Sequence, residues 1–326
     1  MVKNMKMTKR ERVLAALQGL SCDGIPCCFT KHFPLDERFG EAGVKAHLRF
    51  FSETDTDIQK IMNEHLIPAA EGLHFARDWR EVPSYGPKEE FIERQIDFVK
   101  RIMENCKDNG FRVGTLHGAC ASSIHLLEPR YGYEISRQML CAHFRENKAV
   151  VLDAFKRIAQ AQCFLARRYM EETNLDGVYY AALGGETHFY TDEEFEVAVL
   201  EFDKMILDEI HRMGGTAIVH ICKNQLNMQR YRDYRDWGDV FNWSVDDAPM
   251  TLTEGRALFG KTLLGGLSNK QGPLITGQFQ ALKTEIQTII DKAGKTNFIL
   301  GADCTLPMNI NAMNIHAACE IAHAWQ

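Results

Sequence analysis

Hydrophobic positions along the chain alternate between two textures. Short runs rich in β-branched and aromatic residues occur at Ile25–Phe29, Asp57–Met62, Arg112–Leu116, Gly177–Ala181, Ala217–His220, Val240–Trp243, Thr262–Gly265 and Phe298–Gly301. Between most of them apolar residues recur at helical spacing, over Glu89–Cys106, Glu134–Glu172 with a break near Asn147, Asp192–Met213, Thr251–Phe259, Gln278–Ala293 and Asn309–Trp325. Before the first strand, Thr8 and Glu11 have the spacing of a capping box that opens a helix running to about Gln18. Parallel strands need crossover connections, and strand followed by helix eight times over predicts an α/β chain closed into a (β/α)8 TIM barrel. An open doubly wound sheet shares the alternation, but the Gly-x-Gly-x-x-Gly turn that favours a dinucleotide-binding sheet is not present.

No internal repeat, low-complexity tract or Pro/Gly/Ser linker divides the 326 residues, so the expectation is one barrel domain over 1–326 with an N-terminal helical extension at about 1–20. With 45% hydrophobic and 25% charged side chains the composition is globular. Thirty-eight Lys and Arg against 44 Asp and Glu give a formal charge of −6, which offers a polyphosphate no overall attraction and argues against nucleic acid as a partner. No run reaches the roughly 18 apolar residues of a membrane helix, and no apolar export segment follows the basic start. The expected location is therefore cytoplasmic, away from any membrane, where the ten cysteines are thiols rather than a disulfide framework.

In a barrel, catalytic groups stand at the C-terminal ends of strands and on the loops that follow. That rule selects Thr30, Lys31, His32, Asn63, His65, His117, Glu186, His188, His220, Cys222, Asn242, Asp246, Asn269, Asp303 and Cys304. Among these, His220 and Cys222 lie two apart in an extended segment and project to the same side, so imidazole and thiolate can converge on one ion. With 12 His and 10 Cys in the chain, roughly 0.4 such pairs arise by chance, so a third ligand is required. Cys304, just past the eighth strand, supplies it. One His and two Cys suit Zn²⁺ and leave a fourth tetrahedral position for water or substrate. The competing reading makes Cys222 and Cys304 buried thiols beside a hydrogen-bonded histidine.

Other candidates divide in the same way. Glu186, in Gly184-Gly185-Glu186-Thr187-His188, is a fourth metal ligand or proton acceptor, or else part of a plain loop leading to a helix entry at Thr191-Asp192. Asn63, His117, Asn242 and Asp246 are expected to orient substrate. Cys27 and Cys28, as neighbours on a strand, point to opposite faces and are read as core, as are Cys106, Cys141, Cys163 and Cys319 within helical patterns. The run Arg230-Tyr231-Arg232-Asp233-Tyr234-Arg235 is read as an exposed turn in preference to an anion site.

Taken together, several segments resemble the uroporphyrinogen decarboxylase superfamily and, within it, the zinc-dependent methyltransferase branch. They are Thr8 to Gly19 with Asp23-Gly24-Ile25-Pro26, Val219-His220-Ile221-Cys222, Asn242-Trp243-Ser244-Val245-Asp246, Leu264-Gly265-Gly266-Leu267 and Phe298 to Cys304. The resemblance covers nearly the whole chain and implies the same barrel. It is similar to the methylcobamide:coenzyme M methyltransferases, whose zinc is held by a His-x-Cys pair and a distant Cys, places occupied here by His220, Cys222 and Cys304. The branch that cleaves methyl ethers uses two Glu and a His; Glu186 and Glu201 correspond to its carboxylates, but Cys222 stands at the third place. Either branch implies a corrinoid, methylcobalamin or its relative, carried on a partner protein as co-substrate, with a small-molecule thiol, methoxy or methylamine compound as the other reactant. Uroporphyrinogen decarboxylases carry an arginine-rich segment after the first strand for the substrate's carboxylates, whereas Phe29-Thr30-Lys31-His32-Phe33-Pro34 has no arginine. A metal-free decarboxylase acting on a different acid and a non-catalytic binding protein on the same fold remain as alternatives. Outer helices left free by a corrinoid docking at the barrel mouth would be available for homo-oligomer contacts.

Overall fold

The computed structural model describes residues 6–325; residues 1–5 of the expected N-terminal extension lie outside the described residues. Eight strands, β1 (Cys27–Cys28), β2 (Ile58–Ile61), β3 (Phe111–His117), β4 (Gly177–Ala182), β5 (Thr216–Ile221), β6 (Val240–Trp243), β7 (Thr262–Leu267) and β8 (Phe298–Ala302), pair in sequence order into a closed barrel. Every pairing is parallel, and β1 closes the ring against β8. β1 is shorter than the pattern Ile25–Phe29 predicts, because Pro26 has no N–H to give to a ladder; only its carbonyl takes part, accepting from Leu300 N–H at 2.8 Å.

Two apolar cores flank the barrel wall. Inside, Cys28, Ile58, Phe111, Val113, Tyr179, Ile218, Val240, Leu264 and Ile299 fill the lumen, and Val13 and Ala16 of the helix Lys9–Leu17 plug its N-terminal end. That helix opens on the expected capping box, Glu11 N–H donating to Thr8 Oγ1 at 3.2 Å and Thr8 N–H to Glu11 Oε2 at 2.8 Å. Below the lumen, the buried carboxylate of Asp57 pairs with Arg12 and takes bonds from His323 Nε2 and Cys27 N–H, both at 2.7 Å. First strand, plug and last helix are thus fastened at the end opposite the strand C-termini. With that end sealed, the lumen opens only toward the β-to-α connections.

Outside, the strands pack against helices that include Glu90–Asn105, Tyr133–Glu146, Lys148–Glu172, Leu252–Phe259, Phe279–Ala293 and Ala312–His323. The break near Asn147 separates two helices as expected. Two further helices, Gly40–Thr54 and Ala119–Tyr131, fall where the pattern predicts none. The second is buried along most of its length and shows no one-sided apolar stripe, whereas the first carries one in Val44, His47, Phe50 and Phe51, with Gly40 and Gly43 lowering the helical propensity of its first turn. The predicted helix Asp192–Met213 is interrupted by a π-helical turn at Glu196–Leu200. No helix of the described residues is long and apolar enough to cross a membrane.

Candidate metal centre

Register fixes which side chains meet in the lumen. His117 pairs with Ala181, Ala181 with His220, His220 with Asn242, Asn242 with Leu264 and Leu264 with Ile299, so these six share the inner face of the barrel wall. Cys222 follows β5 on the same side as His220, its N–H continuing the ladder to Ala182 O at 3.2 Å. Cys304 follows β8. His220 Nε2 lies 3.4 Å from Cys304 Sγ, the two sulfurs are 4.0 Å apart, and all three ligand atoms lie within 4.8 Å of one another. A tetrahedral zinc with Zn–S near 2.3 Å and Zn–N near 2.0–2.1 Å requires S···S of about 3.8 Å and S···N of about 3.6 Å. The donor set and its spacing therefore fit zinc with small adjustments. The two sulfurs share one proton unequally: the hydrogen bond from Cys222 holds Cys304 well below the ordinary thiol value, while that bond and burial hold Cys222 well above it.

The imidazole is locked by its neighbours. His220 Nδ1 donates to Asn242 Oδ1 at 2.6 Å, which leaves the Nε2 lone pair facing the sulfurs. Asn242 is itself oriented by giving Nδ2 hydrogens to Leu264 O at 2.9 Å and Ala302 O at 3.2 Å, and Tyr179 OH donates to its Oδ1 at 2.9 Å. Its side chain is fully buried and braces the histidine from behind. Beside Cys304, Asp303 accepts Val245 N–H and Gly266 N–H, each at 3.2 Å, and burial pushes its carboxyl up to about 7. Gly266 reaches it from φ +106, a conformation open to glycine. On the other side of the centre, Lys223 and Gln225 take positive φ immediately after Cys222, and Lys223 Nζ lies 4.3 Å from the Tyr133 ring centre.

The remaining candidates are spread around the mouth. Glu186 is buried with its carboxylate engaged by Arg137 and by Gly184 N–H at 3.1 Å, and it is not part of the three-atom cluster. Asn63 is buried and its Oδ1 has no hydrogen-bond partner. His117 stands edge-on to His125 at 4.9 Å, and burial holds it well below the usual histidine value, so it is neutral. Asp246 is exposed and accepts Ser268 OH at 2.8 Å. Glu201 sits exposed on the outer helix Glu201–Arg212, which removes it from any two-glutamate metal set. The run from Arg230 to Arg235 is not the exposed turn expected: as a 3₁₀ helix it buries Tyr231 and Tyr234, and Arg230 is bonded to Asp192 Oδ1 at 2.6 Å and Tyr190 O at 2.8 Å.

A second trio, Cys27, Asp57 and His323, meets the same spacing, but its carboxylate is already saturated by Arg12, Cys27 N–H and His323. A cation there would face a buried guanidinium. Sequence reasoning missed Lys60, Tyr179 and Arg137. The first two were findable as inward positions of predicted strands, since Lys60 is the register partner of lumen residue Val113; Arg137, on an outer helix, left no periodic signal.

A (β/α)8 barrel carrying a His/Cys/Cys cluster at its mouth defines the class of protein. The chain matches the model of the Uroporphyrinogen decarboxylase (URO-D) family over residues 140–325 and belongs to that family. Among solved structures, it resembles a methyltransferase from Methanosarcina mazei with a TM-score of 0.77 at 15% identity, over 97% of this chain and 98% of that one. A B12-independent methionine synthase from Shewanella sp. W3-18-1, in complex with selenomethionine, gives 0.58 at 11% identity over 92% and 96% of the two chains. An endo-1,4-beta-mannanase from Rhizomucor miehei gives 0.54 at 10% identity over 92% and 94%. At such identities the likenesses show the fold alone. No curated protein matches the sequence.

Proposed function

We propose that this protein is a zinc-dependent methyltransferase that moves a methyl group between the heteroatom of a small molecule and a corrinoid carried on a separate protein. One observation carries the reading: two sulfurs and one imidazole nitrogen, on β5 and just past β5 and β8, converge at tetrahedral spacing at the mouth of a lumen closed at its other end. The likeness to the Methanosarcina methyltransferase adds support at the level of fold. His220, Cys222 and Cys304 would hold the zinc, which when bound lowers the pKa of a thiol ligand or polarises a methylated heteroatom.

The residues of the chain do the rest. Asn242 fixes the imidazole tautomer, and the closed N-terminal end keeps water from entering behind the site. With a thiol as acceptor, its proton leaves to solvent, a sulfur–carbon bond forms to the methyl group, and the electron pair of the broken bond stays with the corrinoid. Leu35, Phe39, Phe75 and Met308 are exposed on β-to-α connections, and exposed apolar side chains at that end of the barrel suit docking of a protein-borne corrinoid.

Elemental analysis of the parent beside Cys304→Ala tests the metal. The expected result is about one zinc per chain in the parent and little in the variant, with methyl transfer from methylcobalamin to a thiol only in the former. No zinc in either protein after reconstitution would overturn the reading in favour of a metal-free decarboxylase or a binding protein.

A further inference from the structure

Lys60 projects into the lumen, more than nine-tenths buried, and makes no hydrogen bond or ion pair with any described residue. Its only close partner is the face of Tyr179, whose ring centre is 4.0 Å from Nζ. Tyr179 in turn lies 5.6 Å, centre to centre, from the His220 ring and bonds Asn242. A buried ammonium without a counter-ion is costly, and one retained there implies an anion that arrives. The carboxylate within electrostatic reach, Glu64, is committed to His32 at 3.4 Å and Arg38 at 3.7 Å. Cys28, the strongest electrostatic neighbour of the lysine, is held at about 12 by burial and is neutral. The next groups in electrostatic reach are Cys304 and Cys222.

Charge balance gives that arrangement a use. A divalent ion held by two thiolates and a neutral imidazole has no net charge, so an anionic fourth ligand makes the centre negative by one, and a nearby ammonium offsets it. We propose that Lys60 is a positioning residue that makes the open position of the His220/Cys222/Cys304 centre favour an anionic ligand over a neutral one. The inference rests on the metal reading above. Burial lowers Lys60 to about 8, so it remains largely charged at neutral pH.

Cobalt(II)-loaded parent, Lys60→Met and Lys60→Arg test it, with azide as the anionic probe and imidazole as the neutral one, each followed by the visible spectrum of the metal. The expected result is an azide Kd about tenfold or more higher in Lys60→Met, imidazole binding within about twofold of the parent, and azide affinity largely restored in Lys60→Arg. An unchanged azide Kd in Lys60→Met, or equal losses for both probes, would overturn the inference while leaving the metal site standing. If Lys60→Met fails to fold, Lys60→Gln takes its place with the same criteria. Failure of the parent to take up cobalt would instead overturn the metal reading on which the inference rests.

Discussion

His220 and Asn242 stand side by side in register on β5 and β6, and the 2.6 Å bond from Nδ1 to Oδ1 sets the direction in which the imidazole presents its free nitrogen. Because the Asn242 amide is itself fixed by two backbone carbonyls, the orientation is inherited from the barrel wall. Replacing Asn242 with Leu removes the acceptor and leaves those carbonyls unpaired. Zinc affinity is expected to fall about 10–100-fold, measured by competition with a chelator. Asn242→Asp, which keeps an acceptor for Nδ1, should lose less; equal losses in both variants would argue against an orienting role.

The buried pair of Arg137 and Glu186 separates a structural carboxylate from a metal ligand. Arg137→Met leaves Glu186 unpaired at a site with almost no solvent access and is expected to destabilise the fold by about 3–5 kcal/mol in urea unfolding. Glu186→Gln should keep one zinc per chain. Zinc loss in that variant would restore the carboxylate to the ligand set.

Asp203 gives a pH signature distinct from the metal. Burial pushes its carboxyl up to about 7 from 3.8, although Tyr180 OH at 2.5 Å and Tyr234 OH at 2.8 Å favour the ionised form. A folded value above the unfolded one means the stability contribution is full below about pH 4 and is lost as pH rises through about 7. The melting temperature of the parent relative to Asp203→Asn is therefore expected to decline between pH 4 and pH 8. A flat or rising difference would show that the carboxyl ionises freely in the fold.

At the sealed end of the barrel, Asp57→Asn withdraws the charge that balances Arg12 and weakens the tie to His323. The expected loss is about 3–5 kcal/mol with zinc content unchanged at temperatures where the variant is folded. A drop in zinc per chain under those conditions would point to metal at Cys27, Asp57 and His323 instead.

Much of this was legible in the sequence. Strand and helix periods predict the barrel, and the His-x-Cys pair with Cys304 is recovered because side-chain alternation and the strand-end rule are local. What was illegible depends on lateral register or burial from several sides. The bracing role of Asn242 appears only once β6 lies beside β5, and Lys60 resembles a solvated strand lysine until Val113 is seen beside it in the lumen. Helix Ala119–Tyr131 has no polar face to mark it. Tyr231 and Tyr234 look exposed among charges, yet a 3₁₀ repeat turns both inward.

X-ray absorption at the zinc edge of the metal-loaded protein reads the ligands of the His220, Cys222 and Cys304 centre atom by atom. The expected spectrum has one zinc with two sulfur neighbours at about 2.3 Å and one protein nitrogen at about 2.0–2.1 Å, the sulfur count falling to one in Cys304→Ala. A shell of nitrogen and oxygen alone, or a sulfur count that Cys304→Ala does not change, would contradict it.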